Sequence, residues 1–274
     1  MNSEILISQP IVSVEWLHKN LNAKNLVILD GTIAKTFDVN YSQIPNTRFF
    51  DTKQKFSDVS NPFPSAFPSA QQFQKEARNL GINSNSVIVV YDDKGIYSSP
   101  RVWWLFKAFG YNNVAVLNGG FPAWIKAEYP TEPMQNYSGK AGDFVAKLQP
   151  KFMQFFKDVV EASKNKTHCI IYARSSARFN CLEPEPRAGL RSGTIPNSKN
   201  IPFKTLLNNA GLLKSKEKLK TIFSELISED DAVIFSCGSG ITACVLALGA
   251  EISGYKNIAV YDGSWTEWGS LVKA

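Results

Sequence analysis

Apolar and polar positions along this chain follow two alternating periods, and the whole alternation occurs twice. Unbroken apolar runs at Leu26-Val27-Ile28-Leu29-Asp30, Ser86 to Tyr91 and Val114-Ala115-Val116-Leu117 have the length and β-branched content of strands in the middle of a parallel sheet. Between them, Ala70 to Leu80 carries apolar residues at helical spacing, with Ser69 as N-cap and Gly81 as the stop. The second half presents the same series: strands at Cys169 to Ala173, Asp231 to Ser236 and Ile258 to Tyr261, and helices at Lys216 to Ile227 and Ala243 to Ile252. The punctuation repeats too. Ile44-Pro45-Asn46-Thr47 answers to Ile195-Pro196-Asn197-Ser198, and Gly110-Tyr111 with its later Trp124 answers to Gly254-Tyr255 with Trp268.

Strands alternating with helices predict an α/β fold. The duplication predicts two tandem domains, each a mainly parallel sheet flanked by helices: residues 1–135, a Pro-, Gly-, Asn- and Ser-rich linker at 136–150, and residues 151–274. The length of 274 residues agrees, since one domain usually spans roughly 100–200.

Composition narrows the possible functions. With 44% apolar and 20% charged residues, the chain can bury a core. The net charge of +6 contains no dense cationic patch. The most basic run, Lys214 to Lys220, includes Glu217 and is amphipathic, so it reads as a solvated helix face and nucleic acid is not an expected partner. The mild positive balance still suits small anions. Four scattered cysteines without a CxxC pair, and only two histidines, speak against a disulfide framework or a zinc site. No metal or organic cofactor is expected, and reduced thiols point to a reducing compartment. The N-terminus lacks the pattern of a signal peptide, and no run of about 18 apolar residues occurs. The expectation is a soluble, cytoplasmic protein without membrane contact.

The chemistry is sought where the two halves diverge. After its central strand the second half reads Cys237-Gly238-Ser239-Gly240-Ile241-Thr242-Ala243, where the first half has Asp92-Asp93-Lys94-Gly95-Ile96-Tyr97-Ser98-Ser99-Pro100 and no thiol. Open α/β sheets place ligands at the carboxyl ends of their strands. Two glycines and small hydroxyl residues allow successive N–H groups to form an anion nest, and the following helix adds its positive end. Such surroundings favour a thiolate, the nucleophilic form of cysteine, and would equally hold a persulfide. Cys237 is the candidate nucleophile. The other three cysteines read as packing residues, Cys244 in a helix, Cys169 in a strand and Cys181 in a loop.

The Cys237–Ala243 loop and the downstream Tyr261-Asp262-Gly263-Ser264-Trp265-Thr266-Glu267-Trp268 resemble the rhodanese family of sulfurtransferases, and most of all its 3-mercaptopyruvate sulfurtransferases. Support comes from Tyr97-Ser98-Ser99-Pro100-Arg101-Val102-Trp103-Trp104, from Ser176-Ala177-Arg178-Phe179-Asn180 and from Glu183-Pro184-Glu185-Pro186-Arg187, so the likeness spans nearly the whole chain. It implies an inactive N-terminal copy and a catalytic C-terminal one. It also implies that Arg178 and Arg187 grip the carboxylate and ketone oxygen of a donor, as paired guanidinium donors can. Gly238, Gly240 and Ile241 would meet the substrate in the loop. Ser239 and Thr242 would offer hydroxyls to its sulfur or carbonyl, or else satisfy backbone groups of the turn. The implied reaction passes sulfur from 3-mercaptopyruvate through a Cys237 persulfide to cyanide, a small thiol or a thioredoxin-like protein, and releases pyruvate. Thiosulfate as donor and a non-catalytic sulfur-relay module are the alternatives. A cysteine phosphatase would need arginine where Ala243 stands. Three positions depart from the family pattern: Lys53 and Ser65 stand where an acid and a histidine are common, and Tyr172 stands where the catalytic copy usually has Asp.

Overall fold

A computed structural model describes residues 4–273. Each half of the chain builds one five-stranded sheet. In the first, β1 (Ile11–Val12), β2 (Leu26–Asp30), β3 (Thr47–Phe49), β4 (Val87–Tyr91) and β5 (Val114–Leu117) lie in the order β1-β5-β4-β2-β3. In the second, β6 (Met153–Gln154), β7 (Cys169–Tyr172), β8 (Lys199–Asn200), β9 (Val233–Ser236) and β10 (Ile258–Tyr261) lie in the order β6-β10-β9-β7-β8. The two orders are the same, and every pair within them is parallel. The central strands β4 and β9 are buried along their whole length, which is why their sequences show no polar alternation.

Helices cover both sheets: α1 (Val14–Asn20), α2 (Ala70–Asn79), α3 (Ser99–Ala108) and α4 (Gly120–Lys126) in the first half, then α5 (Phe156–Asn165), α6 (Ser176–Phe179), α7 (Lys216–Ser224), α8 (Ala243–Ser253) and α9 (Ser264–Leu271). The expected caps are present. Ser69 Oγ accepts from the Gln72 N–H at the start of α2, and Gly81 takes the left-handed conformation just past its end, at φ +65°. The helices α3 and α8, which follow the central strands, are apolar almost all round and are buried accordingly.

The chain divides into two compact units. One comprises the residues up to Asp58, Phe67–Gln149 and Ala210–Leu212; the other comprises Val59–Ala66, Pro150–Asn209 and the residues from Leu213 onward. The stretch 136–149 lies along the first unit. Phe144 is fully buried against Phe73, Phe106 and Tyr111, and its N–H donates to the Ile82 carbonyl. Ser65 belongs to the second unit although it is read from the first half of the sequence.

Candidate active site

The turn after β9 places Cys237 at the carboxyl end of the second sheet's middle strand. Its side chain lies beneath the turn, 1% exposed, while Gly238, Ser239 and Thr242 reach solvent. The turn is held from outside by the N-terminus of α9. The Trp265 N–H donates to the Cys237 carbonyl (3.1 Å) and the Thr266 N–H to the Gly238 carbonyl (2.9 Å), which satisfies two donors that a helix start otherwise leaves unpaired. In a trans peptide the N–H points opposite to the preceding C=O. Pinning these two carbonyls to α9 therefore turns the N–H groups of Gly238 and Ser239 to the other side of the turn.

Ser264 completes the clamp. Its Oγ accepts from the N–H of Cys237 (3.0 Å) and of Gly240 (3.1 Å), donates to the Tyr261 carbonyl (2.9 Å), and lies 3.9 Å from the Cys237 sulfur. To do so the serine holds φ +50°, a region costly to residues with a Cβ. The amides of Cys237 and Gly240 are thus directed to Ser264 and not to the sulfur. Among the described residues, the N–H groups of Gly238, Ser239, Ile241 and Thr242 have no protein acceptor. Nor does the Thr242 hydroxyl cap α8, which it precedes.

The corresponding turn of the first unit is closed by its own side chain. Asp92, at the position of Cys237, is fully buried. Its Oδ2 accepts from the N–H groups of Tyr97, Ser98 and Ser99 and from the Ser99 hydroxyl, at 2.7–3.0 Å, while Oδ1 accepts from the Lys94 N–H. The Ser264 position is Gly120 there, also left-handed, and a Cβ on it would meet the Gly95 and Asp92 carbonyls at 2.4 and 2.5 Å. The nest geometry exists in both copies; in one it is filled by a carboxylate of the chain, in the other it stands beside a thiol.

The two arginines converge on the same turn. A Cβ placed on Gly238 would lie 3.6 Å from Arg187 Nη1 and 3.7 Å from Arg178 Nη2. Arg178 is held by Glu185, whose carboxylate also binds Arg174, so one buried acid carries two guanidinium groups. Arg174 donates in addition to the Gly193 carbonyl at 2.6 Å and lies over the rings of Tyr172 (4.5 Å) and Trp265 (5.0 Å). This gives Tyr172 a place: its fully buried ring supports Arg174 from below. Burial pushes its phenol well above the ordinary tyrosine range. Arg187 Nη1 donates to Thr266 Oγ1 at 2.8 Å.

Of the other positions read from the sequence, Lys53 lines a cleft of about 660 Å³ in the first unit together with Lys35, Lys55 and Tyr137. Ser65 is buried in the left-handed region at φ +61°. Cys244 is buried and Cys169 half-buried, with burial and the nearby Asp231 raising the Cys169 thiol above its ordinary value. Cys181 is exposed at φ +59°, so it does not pack. Sequence reasoning assigned no role to Glu185, Ser264 or Thr266. The signal was present in the repeat, where Ser264 aligns with Gly120 and Thr266 with Pro122.

The model of the rhodanese-like domain matches residues 13–127 and 155–271. The chain belongs to the rhodanese family. The 3-mercaptopyruvate sulfurtransferase of Mus musculus is 37% identical, over 94% of this chain and 91% of that protein. A thiosulfate/3-mercaptopyruvate sulfurtransferase of Arabidopsis thaliana, named as mitochondrial, is 38% identical over 97% of this chain and 77% of its own length. Among solved structures, SseA of Escherichia coli, described as a 3-mercaptopyruvate sulfotransferase with the rhodanese fold, superposes with a TM-score of 0.83 at 32% identity, covering 94% of this chain and 99% of that one. The protein is thus a sulfurtransferase with two rhodanese domains. Among the described residues, no helix is long and apolar enough to cross a membrane.

Proposed function

We propose that this rhodanese moves sulfur from 3-mercaptopyruvate to a thiophilic acceptor through a persulfide on Cys237. The Cys237 thiolate attacks the donor's sulfur and the carbon–sulfur bond breaks. Its electron pair leaves as the enolate of pyruvate, which takes up a proton to give pyruvate. The outer sulfur stays on Cys237 until cyanide, a small thiol or a thioredoxin-like protein attacks it and the cysteine thiolate departs. The free thiols of the described chain fit a reducing compartment such as the cytoplasm.

The observation that carries this reading is the pair of turns. The first copy spends the amides of its turn on Asp92; the second leaves four amides of the turn that follows its cysteine without a protein acceptor. Oriented N–H groups around a sulfur stabilise its anionic forms in both half-reactions. Arg178 and Arg187, converging on Gly238, are suited to the carboxylate and ketone oxygen of a 2-oxo acid, where they would orient the donor and stabilise charge growing on the oxygen. Besides these four amides, of Gly238, Ser239, Ile241 and Thr242, the hydroxyls of Ser239 and Thr242 are the further donors at the turn. Thiosulfate is the second reading, favoured by the double name of the Arabidopsis relative.

Steady-state rates with each donor in turn decide between them, with 3-mercaptopyruvate expected to give the larger kcat/KM and pyruvate as product. Mass spectrometry of the donor-treated protein is expected to find one added sulfur on the peptide that carries Cys237. A Cys237→Ala protein with parental turnover would refute the mechanism.

A further inference from the structure

From the geometry around α9 we infer that the hydroxyl of Thr266 is a positioning group for the donor. It fixes Arg187 against the catalytic turn and so sets affinity for the donor's carboxylate; the inference rests on the role proposed for Arg187 above. Thr266 makes two kinds of contact with the turn. Its backbone N–H donates to the Gly238 carbonyl at 2.9 Å, and its Oγ1 donates to the same carbonyl at 2.5 Å. Its one hydroxyl proton being used there, Oγ1 can only accept from Arg187 Nη1, which lies 2.8 Å away. Arg187, Thr266 and the Gly238 carbonyl therefore form a directed chain, in which one guanidinium N–H donates to the hydroxyl and the hydroxyl donates to the carbonyl.

This chain divides the work between two parts of one residue. The backbone N–H of Thr266, with that of Trp265, holds the turn, and it remains whatever side chain stands at 266. The hydroxyl holds the guanidinium. Arg187 is only half-buried, and Thr266 Oγ1 is the single protein acceptor of its guanidinium among the described residues. Without it, a long side chain with freely rotating torsions has nothing to fix its planar fork beside Gly238. Arg178 differs, since the buried Glu185 carboxylate grips it.

The first unit supports the assignment by contrast. The Phe121 N–H donates to the Asp92 carbonyl as that of Trp265 does to Cys237, but the next residue is Pro122, which has neither an N–H nor a hydroxyl. The copy whose turn is filled by Asp92 lacks the second half of the clamp.

The test compares Thr266→Val, which keeps the shape and removes the hydroxyl, with Thr266→Ser, which keeps the hydroxyl. Thr266→Val is expected to raise KM for 3-mercaptopyruvate roughly tenfold, the scale of one hydrogen bond to a charged group, with kcat within about twofold of the parent. Thr266→Ser is expected to restore KM. The rate at which cyanide strips a preformed persulfide, a step without a carboxylate, is expected to be the same in all three proteins. A purely structural role would instead lower Tm and kcat together and leave KM unmoved. That result, or a parental KM in Thr266→Val, overturns the inference. Arg187→Ala measured alongside separates the two levels. If it raises KM while Thr266→Val does not, only the Thr266 assignment falls; if it leaves KM unchanged, the anchoring role of Arg187 falls with it.

Discussion

Single residues account for most of the difference between the two copies. Asp92 and Cys237 leave equivalent strands in equivalent turns, one acting as a built-in anion and the other presenting a sulfur. The change from Gly120 to Ser264 supplies the hydroxyl that ties both ends of the Cys237 turn, and one buried acid, Glu185, binds both Arg178 and Arg174, the latter stacked on Tyr172. Glu267, on α9 behind the site, carries a measurable signature. Its carboxyl is raised above the ordinary glutamate range, chiefly by burial and further by the charge of Asp262, with the Tyr261 phenol opposing. In acid both the folded and the unfolded chain hold this proton and no penalty arises. As pH rises between the ordinary and the raised value, the unfolded chain loses the proton first, so stability falls; above that window the loss is constant. Thermal unfolding is expected to show Glu267→Gln more stable than the parent at neutral pH, with the two indistinguishable once pH lies below the ordinary glutamate range.

Among elements, α9 decides the shape of the site. Its first turn contributes Ser264, Trp265 and Thr266, all bonded to the turn that carries Cys237. Removing the Ser264 hydroxyl leaves the buried amides of Cys237 and Gly240 without an acceptor, each at about 1–3 kcal/mol. Ser264→Gly would lose the same bonds but relieve the left-handed backbone, worth about 1 kcal/mol. Urea denaturation is expected to rank the parent above Ser264→Gly, and Ser264→Gly above Ser264→Ala. The elements themselves were largely legible in the sequence. Apolar runs such as Val87–Tyr91 admit one periodicity, and Ser69 and Gly81 are unambiguous ends for α2. Boundaries shifted by one to three residues: α7 stops at Ser224 although apolar residues continue to Ile227, β9 begins at Val233 and not at Asp231, and α8 runs on to Ser253. The bonds from Ser264 to Cys237 and from Thr266 to Arg187 were not legible, because they join residues 27 and 79 positions apart. Nor did the glycines of the turn reveal that the Gly240 amide would go to a serine rather than to the sulfur.

For the molecule as a whole, duplication supplies its own control. Native-state hydrogen exchange on the full chain is expected to find the N–H groups of Tyr97, Ser98 and Ser99 protected at all times, because Asp92 accepts from them. Those of Gly238, Ser239, Ile241 and Thr242 should exchange readily in the resting protein and slow once a persulfide forms. Slowing in both turns, or in neither, would contradict the contrast drawn between the copies. The identical strand order of the two sheets was readable from the repeat. The membership of Val59–Ala66 in the second unit was not, since nothing in the local pattern marks a segment that crosses from one half to the other.

The clamp from α9 also bears on how reactivity is lost. A fragment holding only β9, its turn and α8 would contain the cysteine but neither Ser264 nor Thr266, so nothing would orient its carbonyls. The reactivity proposed for Cys237 would then be a tertiary attribute, conferred by the docking of a helix that begins 27 residues further along the chain. Because Trp265 and Trp268 of that helix are buried in one cluster with Ile170, Ile234 and Tyr261 of the sheet, heating or denaturant should abolish it together with the unit's core and not before.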